Sequence, residues 1–233
     1  MGERTFDDFD EYASDYRLIH NDNIKLTGAN SFYFAEQKVL ILKQNEAGEN
    51  LQMLDVGCGD GVTEIFVQKH FPGWQVEGID ISKESISIAR SKNITIARFQ
   101  PFSGTQVPFD DSSFDIVFIA AVLHHIDFSL HATIIAEIYR VLKPGGRLYL
   151  FEHNPLNPFT QYLVKTCDFD KDARLLSSKY CLKLLKRASF IVVKIKFILF
   201  FPRKGLLSGL IPIENKLSWL PLGGQYYCRC EKG

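Results

Sequence analysis

The sequence has no net charge, no long apolar run and no apolar leader, and each lack excludes a class of protein. Its 27 Lys and Arg residues balance 27 Asp and Glu residues, whereas a nucleic-acid-binding chain would carry surplus positive charge. The most apolar segment, residues 190–201, contains two lysines and is too short to span a bilayer. The first nine residues are polar and acidic, unlike a secretory signal. These features predict a globular protein that neither crosses a membrane nor binds nucleic acid.

Cysteine is also scarce, and its distribution excludes a disulfide scaffold. The five cysteines are scattered and odd in number. Cys228 and Cys230 would share one face of a strand, but no second pair of ligands accompanies them. No other group of residues has a spacing typical of metal ligands. We therefore expect a metal-free protein in the reducing cytoplasm.

The charge is unevenly distributed along the chain. Residues 1–159 contain 13 Lys and Arg against 22 Asp and Glu, and residues 160–233 contain 14 against 5. One interpretation is that the two parts pack together and solvate their surfaces. The other is that the basic part faces an anionic substrate or a membrane surface.

Short apolar runs alternate with helical patterns through most of the chain. The runs are typical of strands buried on both faces, and they cover residues 51–56, 75–80, 94–99, 114–120, 146–151, 190–201 and 224–231. Helical spacing of apolar residues predicts helices near 31–43, before the "KPGG" at 143–146, and near 177–188. The alternation predicts an α/β fold with an open, doubly wound, mostly parallel sheet.

The stretch "LDVGCGDG" places glycines at every second position behind a predicted strand. Gly57, Gly59 and Gly61 follow Asp55, and a backbone without Cβ atoms lets a ligand approach closely. The helix that follows offers free N–H groups to an anionic group such as a carboxylate. The dinucleotide fingerprint requires a third glycine where this chain has Val62. The spacing therefore disfavours a nicotinamide or flavin cofactor.

Asp80 ends the next predicted strand, 19 residues after Gly61. A carboxylate at this position can accept hydrogen bonds from both hydroxyls of a ribose. The alternative is that Asp80 only caps the N-terminus of the helix that starts near Ser82.

Several motifs occur together in the order and spacing of a known family. The pattern D-x-G-x-G-x-G at 55–61, "VPFDDSSFDIVFIAAVLHHI" at 107–126 and "IYRVLKPGGRLYLFEHN" at 138–154 resemble class I S-adenosylmethionine-dependent methyltransferases. The resemblance covers roughly residues 51–153. It implies a Rossmann-like sheet of seven strands whose final strand is antiparallel, an N-terminal helical lid (1–45), and a domain (46–233) with a substrate-facing insertion at 202–223.

The resemblance also implies the cofactor and its contacts. The cofactor would be S-adenosyl-L-methionine, released as S-adenosyl-L-homocysteine, with Ile81 covering the adenine. The implied contact residues are Asp55, Gly57, Cys58, Gly59, Gly61, Asp80, Ile81, Phe102, Ser103 and Ala120. Many members carry an acidic residue where this chain has Ser103, so the adenine contact would instead come from the backbone, Ser103 or Gln106.

The residues that would act on the acceptor are less closely specified. A proton acceptor is needed only if the methyl acceptor arrives protonated, and the candidates at strand ends are His124, His125 and His153. His124 and His125 are alternatively residues that shape the pocket. Candidate acceptor contacts are Tyr12, Tyr16, His20 and Asn154, although tyrosines at helical spacing are also typical of packing.

These features together predict an enzyme that methylates a small molecule, with an acceptor that is anionic or linked to a lipid. The alternatives are methylation of protein or nucleic acid, and a non-catalytic module that binds the nucleotide. We expect a monomer or homodimer, with a membrane-surface contact through the basic C-terminal part.

Overall fold

Seven strands form one sheet in the computed structural model, which describes residues 21–167, 170 and 173–233. The strands are β1 Gln52–Val56, β2 Gln75–Asp80, β3 Ala97–Pro101, β4 Phe114–Ala120, β5 Leu142–His153, β6 Phe190–Ile198 and β7 Gln225–Lys232. Their order across the sheet is β3-β2-β1-β4-β5-β7-β6. The pairs among β1 to β5 are parallel, and β7 is antiparallel to both β5 and β6. The predicted mostly parallel sheet with an antiparallel final strand is confirmed.

Helices connect the strands. They are α1 Ser31–Asn45, α2 Val62–His70, α3 Lys83–Ser91, α4 His131–Val141, α5 Pro158–Thr166, α6 Ser178–Arg187 and the short α7 Glu214–Leu217. Four of them begin where a side-chain oxygen accepts a hydrogen bond from a backbone N–H three residues later, at Asn30, Ser82, Asn157 and Ser177. Each such cap stabilises its helix by about 1 kcal/mol.

The sheet is covered on both faces, which explains why its strands are almost continuously apolar. Neighbouring residues of β1 point in opposite directions, so Leu54 packs in one buried cluster and Met53 in the other. Helix α4 covers the first face through Ile134 and Ile138. Helix α1 covers the second face through Leu42. Part of the predicted N-terminal lid is therefore core, and its first 20 residues lie outside the described ranges.

Three strands have bounds that differ from the prediction by more than one residue, each for a local reason. Strand β3 was expected at 94–99, but Ala97 N–H donates to Ile94 O and closes a turn before the strand. Strand β5 starts earlier than expected, because Leu142 already pairs with Phe114. Strand β6 ends earlier than expected, because Leu199 adopts a φ of 61°, which β structure does not accommodate.

The strand directions bring the candidate site to one edge of the sheet. Because β1, β2, β4 and β5 are parallel, the residues after their carboxyl ends lie along the same edge. Strand β6 runs in the same sense, since β7 is antiparallel to both of its neighbours. Residues 199–224 therefore leave from that edge too. No helix among the described residues combines the length and apolar character that crossing a membrane requires.

Candidate functional site

The three glycines after β1 have positive φ angles of 78°, 54° and 79° at Gly57, Gly59 and Gly61. Their surroundings differ. A Cβ on Gly57 would lie 2.3 Å from Val122 Cγ2, and one on Gly61 would lie 3.1 Å from Ala89 Cβ. A Cβ on Gly59 would meet no atom within 4 Å. Two of the glycines therefore permit close packing, and Gly59 borders open space at the sheet edge.

The side chain of Asp80 connects this loop to the next helix. One carboxylate oxygen accepts from Gly59 N at 2.8 Å, and the other accepts from Ser82 N at 2.9 Å. The carboxylate therefore holds the start of α3, as one interpretation of the sequence expected, and also holds the glycine loop; its contact with a ribose stays a prediction. The side chain is only half-buried, so a ligand at the sheet edge can approach its carboxylate.

A pair of buried acids lies behind the glycine loop. Asp55 is the penultimate residue of β1 and Glu64 lies in the first turn of α2, and both are buried. Asp55 Oδ2 and both Glu64 oxygens have no hydrogen-bond partner of the donor type among the described residues. Burial, and next the proximity of Glu64, raise the pKa of Asp55 well above its usual value. Burial raises the pKa of Glu64 to about 7.

A lysine on α1 faces this pair. Burial lowers the pKa of Lys38 to about 8, although the carboxylates of Glu152 and Asp55 act in the opposite direction. Lys92 favours the charged form of Glu64, as Lys38 does for Asp55, so each buried acid behind the glycine loop has an ammonium group in electrostatic reach.

The remaining predicted cofactor residues lie near the carboxyl ends of β1 to β4 and differ in their exposure. Cys58 contributes only backbone, because its side chain packs in a cluster with Ile86 and Phe99. Phe102 donates its N–H to Asp80 O at 3.0 Å and packs against the core. Near the strand ends, Ile81 and Ala120 are partly exposed and Ser103 is exposed. Ser103 Oγ accepts from the N–H of Gln106 at 3.4 Å.

The three predicted histidines lie together beyond β4 and β5. The rings of His124 and His125 are 4.2 Å apart, and those of His124 and His153 are 5.2 Å apart. The turn that carries the first two starts at Ala121, whose φ of 58° is a strained conformation typical of functional sites. Burial lowers the pKa of His153 to about 3, so this ring is neutral at physiological pH.

Glu152 holds the histidine pair in place. Its Oε2 lies 2.6 Å from His124 Nδ1, and its Oε1 accepts from Leu123 N at 3.1 Å. Burial alone would lower the pKa of His124, but Glu152, with a smaller contribution from Asp170, raises it overall. His125 Nε2 lies 3.4 Å from Asp170 Oδ1.

Of the residues predicted to contact the methyl acceptor, the structure describes only Asn154. Tyr12, Tyr16 and His20 lie outside the described residues. Asn154 is buried, and its amide nitrogen donates to Pro221 O at 3.0 Å and Gly223 O at 2.8 Å. These bonds tie the end of β5 to the loop before β7, which indicates a structural role; its contact with an acceptor stays a prediction.

Several residues of the site were missed by the sequence reasoning: Lys38, Glu64, Val122, Glu152 and Asp170. One signal was available for Glu152, since it is an acidic residue at the end of an otherwise apolar strand. A second signal was Glu64, an acidic residue three positions before Val67, which is buried on the same short helix. Lys38 and Asp170 carry no local signal, because only the tertiary fold brings them to the site.

Comparison with known proteins agrees with the expectations drawn from the motifs. Residues 54–150 match the family described as methyltransferase domain. The demethylmenaquinone methyltransferase of Chlorobaculum tepidum is 33% identical over 157 residues, which cover 67% of this chain and 62% of that protein. The chain spans less than two thirds of the length of the first curated relatives that it matches.

Solved structures share the fold at low sequence identity. A SAM-dependent methyltransferase of Thermotoga maritima, described as a possible histamine N-methyltransferase, superposes with a TM-score of 0.71 at 18% identity, covering 98% of this chain and all of that one. A phosphoethanolamine N-methyltransferase of Haemonchus contortus, in complex with phosphomonomethylethanolamine and S-adenosylhomocysteine, gives a TM-score of 0.68 at 20% identity, covering 98% of this chain and 60% of that one.

Proposed function

We propose that the protein transfers a methyl group from S-adenosylmethionine to a small molecule, because residues 54–150 match the methyltransferase-domain family. The observation that carries the proposal is the hydrogen bond of 2.8 Å between Gly59 N and Asp80. It places an open stretch of backbone beside a half-buried carboxylate, an acceptor-only group of the kind that suits ribose hydroxyls. A nucleoside with an amino-acid tail needs both features in one crevice.

The residues present fit this cofactor. Gly59 leaves space that a side chain would fill, and the half-buried carboxylate of Asp80 is the type of group that ribose hydroxyls bind. Among the described residues, no donor reaches Asp55 Oδ2 or the two Glu64 oxygens, which suits a ligand that brings an ammonium group. The sulfonium of the bound cofactor would supply an activated methyl group with a good leaving group.

The chain's own contribution is to hold the reactants in line. Alignment of this kind can supply a large share of a rate enhancement. The glycine loop and Asp80 would fix the donor, and the strained turn after β4 would form the wall on the acceptor side. His124, His125 and His153 remain candidates for contact with the acceptor, and none is assigned as a base.

The proposed acceptor is an anionic or lipid-linked small molecule, on the evidence of the segment between β6 and β7. Its side chains Leu206 and Trp219 are 97% and 72% exposed. A cavity of about 400 Å³ beside it is lined by Lys25, Arg203 and Lys204 among other residues. Apolar side chains next to cationic ones are typical of proteins that lie on anionic membranes. The related protein of Chlorobaculum tepidum is named for an acceptor, demethylmenaquinone. We infer a cytoplasmic protein that meets its acceptor at a membrane surface.

Calorimetric titration with S-adenosylmethionine tests donor binding directly. We expect binding to wild type, and a loss of about 10- to 100-fold in affinity for Asp80→Ala, because hydrogen bonds to a charged group contribute about 1.5–3 kcal/mol. Asp80→Asn keeps the shape and one acceptor oxygen, so its loss should be smaller. Unaltered affinity in Asp80→Ala, with the fold intact by circular dichroism, would contradict the proposed crevice.

Release of S-adenosylhomocysteine in the presence of quinol acceptors separates an enzyme from a non-catalytic module. Donor binding without release for any lipid or phosphate-bearing acceptor would favour the module.

Sedimentation with phosphatidylglycerol vesicles tests the membrane contact. Leu206→Ser and Trp219→Ser should reduce the bound fraction. Ile191→Ser is the matched control, because Ile191 is 59% exposed at the opposite end of β6. Equal loss in all three variants would argue against a specific membrane-facing segment.

A further inference from the structure

We propose that His124, His125 and Asp170 bind a divalent transition-metal ion, with Zn²⁺ as the best match. One ligand atom from each residue lies within 4.8 Å of the other two. Zn²⁺ bonds to imidazole nitrogen and carboxylate oxygen are about 2.0–2.2 Å long. A single ion between the three atoms therefore needs only a small contraction of the cluster.

The carboxylate of Asp170 lies opposite the rings of both His124 and His125. Asp170 Oδ1 lies 3.4 Å from His125 Nε2 and 4.0 Å from His124 Nε2. Two imidazoles with one carboxylate form a donor set typical of zinc and of ferrous iron, and not of magnesium or calcium.

Glu152 makes His124 a preformed ligand. It holds His124 Nδ1 at 2.6 Å, and both side chains are almost fully buried. In the neutral ring the proton then lies on Nδ1, so the lone pair of Nε2 points toward the carboxylate of Asp170. A carboxylate that orients a metal-binding histidine through its second nitrogen is a recurrent feature of metal sites.

The backbone holds the carboxylate in reach. Arg174 N donates to His124 O at 2.9 Å, and Ala173 N donates to Asp170 O at 2.8 Å. These bonds connect the segment around Asp170 to the turn that carries the histidines. Spacing along the sequence did not reveal the site, because the aspartate follows the histidines at a distance that no metal motif shares.

Three protein ligands leave coordination positions for a water molecule or a ligand oxygen. The cluster follows the carboxyl end of β4, at the same sheet edge as the glycine loop. An ion here would be available to an oxygen-bearing small molecule in the crevice. Its binding to the protein does not depend on the proposed methyl transfer, and it is measured without donor or acceptor.

The test uses protein stripped with a chelator and titrated with Zn²⁺ by calorimetry. We expect one equivalent to bind to wild type. His125→Ala and Asp170→Asn should bind at least about 100-fold more weakly, and Glu152→Gln about 10- to 100-fold more weakly, as outer-shell substitutions do. His70→Ala is the matched control, because His70 lies 3.3 Å from Glu36 in another carboxylate–histidine pair. It should bind Zn²⁺ as wild type does.

X-ray absorption of the zinc-loaded wild type makes the proposal independent of whether the variants fold. We expect two imidazoles and no sulfur in the first coordination shell. Sulfur at about 2.3 Å would place the ion at cysteines and overturn the proposal. Failure of wild type to bind Zn²⁺, Fe²⁺ or Co²⁺ at micromolar concentration would also overturn it, as would unaltered affinity in a folded His125→Ala variant.

Discussion

Replacing Glu64 by Gln should stabilise the protein at alkaline pH and have little effect near pH 4.5. Glu64 is fully buried, and burial raises its pKa from 4.5 to about 7. A difference of about 2.5 pH units at 1.36 kcal/mol per unit corresponds to about 3 kcal/mol. That is a large fraction of the total stability of a domain, which is about 5–15 kcal/mol.

Proton linkage explains why the Glu64→Gln substitution should stabilise the folded protein as the pH rises. A carboxyl whose pKa is raised on folding keeps its proton longer in the folded state than in the unfolded state. The free-energy cost of ionising Glu64 in the folded protein is absent below pH 4.5, its pKa in the unfolded chain. This cost grows as the pH rises through about 7, its pKa in the folded protein, and is constant above that. Gln has the same shape and does not ionise, so Glu64→Gln removes this loss. Asp55, whose pKa is also raised by burial and by Glu64, adds to the effect in wild type and should respond less in the variant.

Urea unfolding at a series of pH values from about 4.5 to 8, without donor, measures the effect. The difference in unfolding free energy between Glu64→Gln and wild type should grow by up to about 3 kcal/mol across this range. Glu84→Gln is the control, since it makes the same change at an exposed position of α3, and its difference from wild type should stay within about 0.5 kcal/mol. A difference for Glu64→Gln that is the same at every pH would refute the reasoning.

Two further predictions concern backbone and loop geometry. Gly59→Ala should cost about 1 kcal/mol of stability for its positive φ but abolish most donor affinity in calorimetry, because its Cβ occupies open space at the crevice. Gly57→Ala should instead lower the melting temperature sharply, because its Cβ would lie 2.3 Å from a side-chain carbon; equal melting temperatures for the two variants would contradict this assignment. Asn154→Ala should lower the free energy of unfolding in urea by about 2–3 kcal/mol, because it loses the hydrogen bonds to Pro221, Gly223 and Leu156. A loss below about 0.5 kcal/mol would contradict a structural role for Asn154.

The fold was predictable because its signals are local and repeated. Strands buried on both faces read as apolar runs, and "KPGG" marks the end of α4 at Val141. The bounds failed where a tertiary pairing or a single backbone angle decides them. Leu142 joins β5 through its partner Phe114, and Leu199 ends β6 through a left-handed φ. No propensity of leucine indicates either outcome.

The candidate site was predictable where one motif supplies all of its parts. The glycine loop and Asp80 lie in two adjacent βα units, so their spacing specifies their proximity. The histidines were found, but the carboxylates that orient them were not. Asp170 reaches His125 only through the path of the chain after α5, and Lys38 reaches Asp55 only through the packing of α1. Contacts of this kind leave no periodic trace in a single sequence.

The position of β7 has a consequence for the order in which the sheet is assembled during synthesis. Strand β6 reaches the sheet only through β7, which lies between it and β5. A nascent chain that has emerged as far as residue 224 can pair its first five strands, but it has no partner for β6. The free hydrogen-bonding edge of β5 and the apolar side chains of β6 then stay exposed until residues 225–232 leave the ribosome. A chaperone that shields such edges would be most useful to this protein in that interval.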